Sequence, residues 1–266
     1  MVVLLLPLAS NIYLAGSHLK TMSREQIMGV LSTTGSGPLL GIILILVALA
    51  RSGGTIIGWV TRLWTGLVPS SASAWKIARS QAIARSRGKA FGSTIISLTA
   101  CLFFLGGLLT AGQTSSAAMR AVPQLEKVSS GGPLEILSGF GAALLIALIG
   151  AVASFAISAQ ERKLDLALLD VAGAGPEQLS SISALDGVIL MTTGILVAAG
   201  STLIVGAATA VAYWPLSKTL PLVFPWQLFL ELGLPIIMIG ASATLLTARS
   251  ASREPAIATI QSAIGE

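Results

Sequence analysis

The residues best placed to do chemistry lie in one short run. Glu161-Arg162-Lys163 is followed by Leu164, Asp165, Leu168, Leu169, Asp170 and Val171, so charge and apolar side chains interleave. Leu164, Leu168 and Val171 recur at i, i+4 and i+7 with Ala167 beside them, which predicts one apolar stripe on a helix. Glu161 falls in the first turn, where the positive end of the helix dipole favours a carboxylate. Gly173 follows the last periodic residue and suits the left-handed cap that closes a helix. Pro176 then suits the first position of the next helix. About three turns of helix are marginal alone, so the stripe needs a partner surface: the membrane, the rest of the chain or another protein. The chemistry implied is docking.

Bond-making chemistry finds little support. His18 and Cys101 are single representatives of their types, which leaves no His/Cys constellation for a metal and no Ser/His/Asp arrangement. Cys101 lies inside an apolar run and has no second cysteine to pair with. A phosphate-binding loop would read G-x-x-x-x-G-K-[ST]. Gly88-Lys89 is followed by Ala90, and Ile83 occupies the first glycine position. Catalysis by this chain is therefore not expected.

The elements that must position the run are membrane helices. Of 266 residues, 54% are hydrophobic and 10% charged, with a mean hydropathy of +0.86; soluble domains carry roughly 25% charged residues. The net charge of +5 does not indicate nucleic acid, because long uncharged runs separate the basic residues. A hydrocarbon core about 30 Å thick needs roughly 20 apolar helical residues. Six segments are candidates: Val2–Gly16, Ile27–Ala50, Ala90–Ala111, Leu134–Ala159, Leu185–Trp214 and Trp226–Ala248. The first is short and has no positively charged n-region, so it is not read as a signal peptide. It is expected to be either a shortened span, from a chain that starts partway into a helix, or a partly embedded end.

This gives an all-α polytopic bundle in three parts. Residues 1–50 hold two helices, 51–89 form a cytoplasmic interfacial segment, and 90–266 hold four further helices, a segment at 160–173 and a tail at 249–266. Counting Lys and Arg by loop places eleven of the sixteen on one side with both termini, the cytoplasmic side by the positive-inside rule. Trp59, Trp64, Trp75, Trp214 and Trp226 fall near span ends, where indoles prefer the headgroup level. Within 51–89, Ile56–Trp64 reads as an interfacial helix. Trp75, Ala78 and Ala82 share a face while Arg79 and Arg85 point elsewhere, so this basic stretch, which also holds Arg87, lies in the headgroup plane or forms a solvated positive loop. The outer loops, Ser17–Gln26, Gly112–Pro133 and Pro215–Pro225, are too short to fold as domains.

Glu161-Arg162-Lys163-Leu164-Asp165-Leu166-Ala167-Leu168-Leu169-Asp170-Val171-Ala172-Gly173-Ala174 resembles the E-R-x-x-E-[IL]-A-x-L-R-A-x-G-A signature of the FtsX-like permease domain. That domain is the membrane subunit of ATP-binding-cassette (ABC) transporters of the MacB, LolC and BceB type. Ile77–Lys89 resembles the family's basic segment before its first domain helix, and Ala248–Ala256 its closing P-A-R-x-A-x-x-x-P-A. Asp186 stands where an acidic residue often opens the helix after the signature. Asp170 departs from the pattern, replacing the usual arginine. The short Gly112–Pro133 loop resembles the carboxy-terminal half of a BceB-like permease, as a second half of a longer chain or a half-size subunit.

The resemblance implies a bacterial cytoplasmic-membrane permease whose coupling helix docks into a cytoplasmic ABC ATPase dimer. Leu164, Leu168 and Val171 would be anchors and Glu161, Arg162 and Lys163 a polar rim. It implies ATP and Mg on the ATPase, no cofactor on this chain, and a second permease copy or sister permease beside it. The transported substrate would be amphiphilic, such as an antimicrobial peptide, a macrolide or a lipid-linked molecule; the alternatives are a signalling subunit that transports nothing and an inactive fragment. Without the family, the same helix would simply lie on the membrane. Small residues at four-residue spacing, Gly150 and Ser154, Gly194 and Ala198, Gly206 and Ala210, Gly240 and Thr244, suit close helix packing more than a substrate path. Asp186 and Glu231 are expected near an interface, since a charge at the bilayer centre costs roughly 2.5–3.5 kcal/mol.

Overall fold

A computed structural model describes residues 24–69, 72–85, 89–120, 173, 175–217 and 220–251. They form five helices and no strand among the described residues: α1 Arg24–Leu67, α2 Ser73–Arg85, α3 Lys89–Arg120, α4 Pro176–Ser217 and α5 Trp226–Ala251. The protein is all-α. Among the described residues, four segments are long and apolar enough to cross a membrane: Pro38–Leu67, Ile95–Ala118, Glu177–Trp214 and Trp226–Leu246. The expected spans Val2–Gly16 and Leu134–Ala159 lie outside the described residues.

The amino-terminal part differs from the sequence expectation. Helix α1 runs unbroken through Arg51, so Ile56–Trp64 is not a separate helix. Arg51 ends an apolar run by charge alone; its side chain is exposed and the helix continues beneath it. Gly53, a poor helix former by propensity, serves close packing. A Cβ there would sit 2.7 Å from Ile96 Cγ1. Helix α3 likewise extends to Arg120 and α4 to Ser217, shortening the outer loops expected from Gly112 and from Pro215.

Pro38 and Pro235 lie inside α1 and α5. Each removes one helical hydrogen bond, which membrane helices tolerate where local adjustment satisfies the freed carbonyl. Threonine hydroxyls answer the same need for satisfaction inside apolar surroundings. Thr193 donates to Ile189 O and Thr209 to Val205 O, at 2.7 and 2.8 Å, and Thr65 donates to Thr61 O.

The chain divides into two compact units. The first takes its described residues from Met1–Arg51, Ala100–Leu145 and Ala198–Leu228. Phe103 and Ile42 are fully buried in it, and a Cβ on Gly107 would meet Ile42 Cγ1 at 3.2 Å. The non-helical stretch Leu220–Pro225 folds back onto this unit. Val223 N donates to Thr114 Oγ1 at 3.4 Å, and a Cβ on Gly206 would come within 2.6 Å of Thr110 Cγ2 and 2.9 Å of Leu222 Cδ1.

The second unit takes its described residues from Ser52–Thr99, Ile146–Val197 and Phe229–Glu266. Ile57, Ile95, Ile189 and Leu190 are its largest fully buried apolar side chains. It also holds the helix starts and the polar contacts described next.

Candidate functional site

Gly173 is where the candidate docking segment hands over to α4. It has φ +90° and is exposed, the left-handed conformation that its place after the apolar stripe predicts and that costs other residues energy. Gly175 follows, and its carbonyl accepts the first helical bond of α4 from Leu179 N at 3.0 Å. Pro176 is the first helical residue, the position where its missing N–H costs nothing. Glu177 sits in the first turn, favourably placed on the dipole. The segment boundary is thus sharp. Glu161, Arg162, Lys163, Leu164, Leu168, Leu169 and Val171 lie outside the described residues, as do Gly150, Ser154 and Arg87.

From that start, α4 is pinned to α1 by a small buried polar cluster. Trp64 Nε1 donates to Thr193 Oγ1 at 2.9 Å, while Thr193 passes its own proton to Ile189 O. Thr61 Oγ1 lies 3.2 Å from Thr193 Oγ1 and 2.7 Å from Ile57 O, and its one proton can serve either. Thr61 and Thr193 are both fully buried. Sequence reading missed this cluster; the four-residue spacing of Thr61 and Thr65 on an apolar helix was the available signal.

Helix α5 meets α4 through small residues. Ser183 Oγ donates to Thr244 O at 2.8 Å. A Cβ on Gly187 would lie 2.7 Å from Thr244 Oγ1 and 3.0 Å from Gly240 O, and one on Gly240 would overlap Met191 Cγ. On the side toward α3, a Cβ on Gly194 would lie 3.0 Å from Thr99 Oγ1. Gly194, Gly240 and, in the first unit, Ala198 and Gly206 are all buried. Asp186, between Ser183 and Gly187 in sequence, is fully buried. Glu231 is exposed in the second turn of α5.

The corner between α1 and α2 is the other expected site. Trp64 and Trp75 meet edge to face, centroids 6.2 Å apart and planes at 75°, a favourable aromatic geometry. Arg79 Nη2 donates to Arg62 O at 3.4 Å. Ala78 and Ala82 are fully buried, so the face they share with Trp75 is turned to protein. Arg85 closes α2. No group of three or more His, Cys, Asp or Glu that could hold a metal occurs among the described residues.

Residues 137–256 match the family model of the FtsX-like permease C-terminal domain. This stretch is similar to an FtsX-like permease domain. No curated protein and no solved structure matches the chain. The matched stretch encloses the segment 160–173, Gly173, all of α4 and all of α5. The match supports a membrane permease subunit of an ABC-type system; subunits of that class are not themselves catalytic and generally partner with ABC ATPases.

Proposed function

We propose that this chain couples ATP hydrolysis on a partner ABC ATPase dimer to export or extraction of an amphiphilic substrate. In this reading both termini are cytoplasmic, the membrane is the bacterial cytoplasmic membrane, and a second copy or a sister permease completes the assembly. ATP and Mg belong to the partner. The segment 160–173 is the coupling helix, with Leu164, Leu168, Leu169 and Val171 seated in a groove of the ATPase and Glu161, Arg162 and Lys163 at its rim, the helix-in-groove mode.

The observation that carries the reading is the family match across 137–256, which brackets that amphipathic segment. The positive φ of Gly173 and the start of α4 at Pro176 support it, because a coupling helix ending at Gly173 would pass its displacement directly into α4.

Leu168→Asp tests the docking. A charge placed against an apolar groove should abolish co-purification with the ATPase while the permease still inserts. Unchanged association would overturn the assignment. Reconstitution in liposomes then separates transport from signalling: substrate-stimulated ATPase with efflux supports export, and stimulation without efflux supports a signalling subunit.

A further inference from the structure

We propose that the corner between α1 and α2 binds the headgroup of an anionic phospholipid, with Arg62, Lys76 and Arg79 supplying the charge. This rests on membrane embedding alone and not on the coupling role proposed above.

Three observations converge there. The first is apolar exposure. Trp59, Leu63 and Leu67 recur every four residues along α1 and are 64%, 51% and 83% exposed. They form one outward stripe, continued by Val68 and, on α2, by Ile77. The apolar segment Pro38–Leu67 has 30 residues, about 45 Å of helix against a hydrocarbon core of about 30 Å. One end must therefore reach the headgroup layer. The indoles of Trp59, Trp64 and Trp75 mark the Leu67 end, since tryptophan concentrates at that level.

The second is charge without a counter-charge. Arg62 and Lys76 are exposed beside the stripe. Lys76 and Arg79 are three residues apart on α2, hence neighbours on its surface. Arg79 reaches over α1, its Nη2 on Arg62 O and 3.5 Å from where a Cβ on Gly66 would be. Arg62 and Gly66 both flank the Trp59–Leu63–Leu67 stripe by helical angle, so the cations gather along one edge of it. No acidic residue occurs between Glu25 and Glu126, and none of the three cations makes an ion pair among the described residues.

The third is unused donor capacity. Of the five N–H donors a guanidinium carries, Arg79 commits one to Arg62 O, and its Nε is shielded from solvent with no acceptor. A phosphodiester beside Arg62, Lys76 and Arg79 would offset their mutual repulsion and accept charge-assisted hydrogen bonds. Its acyl chains would lie along Trp59, Leu63 and Leu67. Phosphate charge next to apolar surface specifies a lipid, since a soluble anion would leave the stripe uncovered.

Native mass spectrometry of the purified full chain, loaded with equal dioleoylphosphatidylglycerol and dioleoylphosphatidylcholine, tests this. The wild type should retain the anionic lipid preferentially. Each basic residue near an anionic lipid surface is worth about fivefold, so R62Q/K76Q should reduce the preference by roughly 25-fold. The charge-conserving R62K/K76R should keep it, and R120Q, remote in sequence on α3, should leave it unchanged. The proposal is overturned if R62Q/K76Q retains the wild-type preference, if R120Q loses as much, or if excess inorganic phosphate displaces the lipid. No ATPase is present in the measurement, so its failure is distinct from failure of the coupling reading.

Discussion

The indole N–H of Trp64 donates to the hydroxyl of Thr193 across 129 residues of chain, at 2.9 Å. It links the last turns of α1 to α4 below a fully buried Thr61. Interhelical hydrogen bonds in membranes average about 0.6 kcal/mol and reach about 1.7. Trp64→Phe and Thr193→Val should each destabilise the folded protein by about that amount, and the double variant by less than the sum. A double-mutant cycle read by denaturant unfolding in micelles checks it; additive losses would show that the two side chains are not coupled.

Gly240 faces Met191 at a distance that admits no side chain. Gly240→Ala should therefore cost about 1–3 kcal/mol, the range for overpacking, and Met191→Ala should recover part of the loss. Thermal unfolding of the two single variants and the double variant measures this. A neutral Gly240→Ala would mean α4 and α5 are further apart.

Gly173 holds φ +90° with open space around its Cβ position. The penalty of Gly173→Ala is consequently conformational, not steric, at about 1–2 kcal/mol. Gly173→Asn should cost less, since asparagine visits the left-handed region. If the handover from segment 160–173 to α4 matters for coupling, Gly173→Ala should lower substrate-stimulated ATPase more than Gly173→Asn. Equal activities would argue that the cap is only a chain reversal.

Gly206 leaves room for Leu222 and Thr110. Gly206→Leu should lift the stretch Leu220–Pro225 away from α4 and weaken the long Val223 N to Thr114 Oγ1 contact. Limited proteolysis should then cut near Leu220, where wild type resists. Identical cleavage patterns would contradict the packing described.

Much of the helix-forming tendency was legible from apolar run length, because in lipid each helix must satisfy its own backbone and length tracks bilayer thickness. Trp226 and Trp214 marked span ends well, both being amphipathic and near turns. Arg51 misled: a single exposed charge reads as an end in a one-dimensional pattern, yet a helix carries it outward without breaking. Asp186 is fully buried, a packing detail that its place near an apolar run does not encode. The α1–α2 corner was half legible. Its cations and tryptophans were plain, but Ala78 and Ala82 are small enough to fit against protein or lipid, and only tertiary contact decides. The Trp64–Thr193 pair was not legible, because no local pattern encodes a contact between residues so far apart.

Thr65, Thr193 and Thr209 each return their proton to their own helix, so these hydroxyls donate nothing to a neighbour. A rod whose polar atoms are content at home can creep past the next one while forfeiting few bonds. Under the coupling proposed above, such seams would let helices re-register on small residues at little cost each time the partner pushes and releases them.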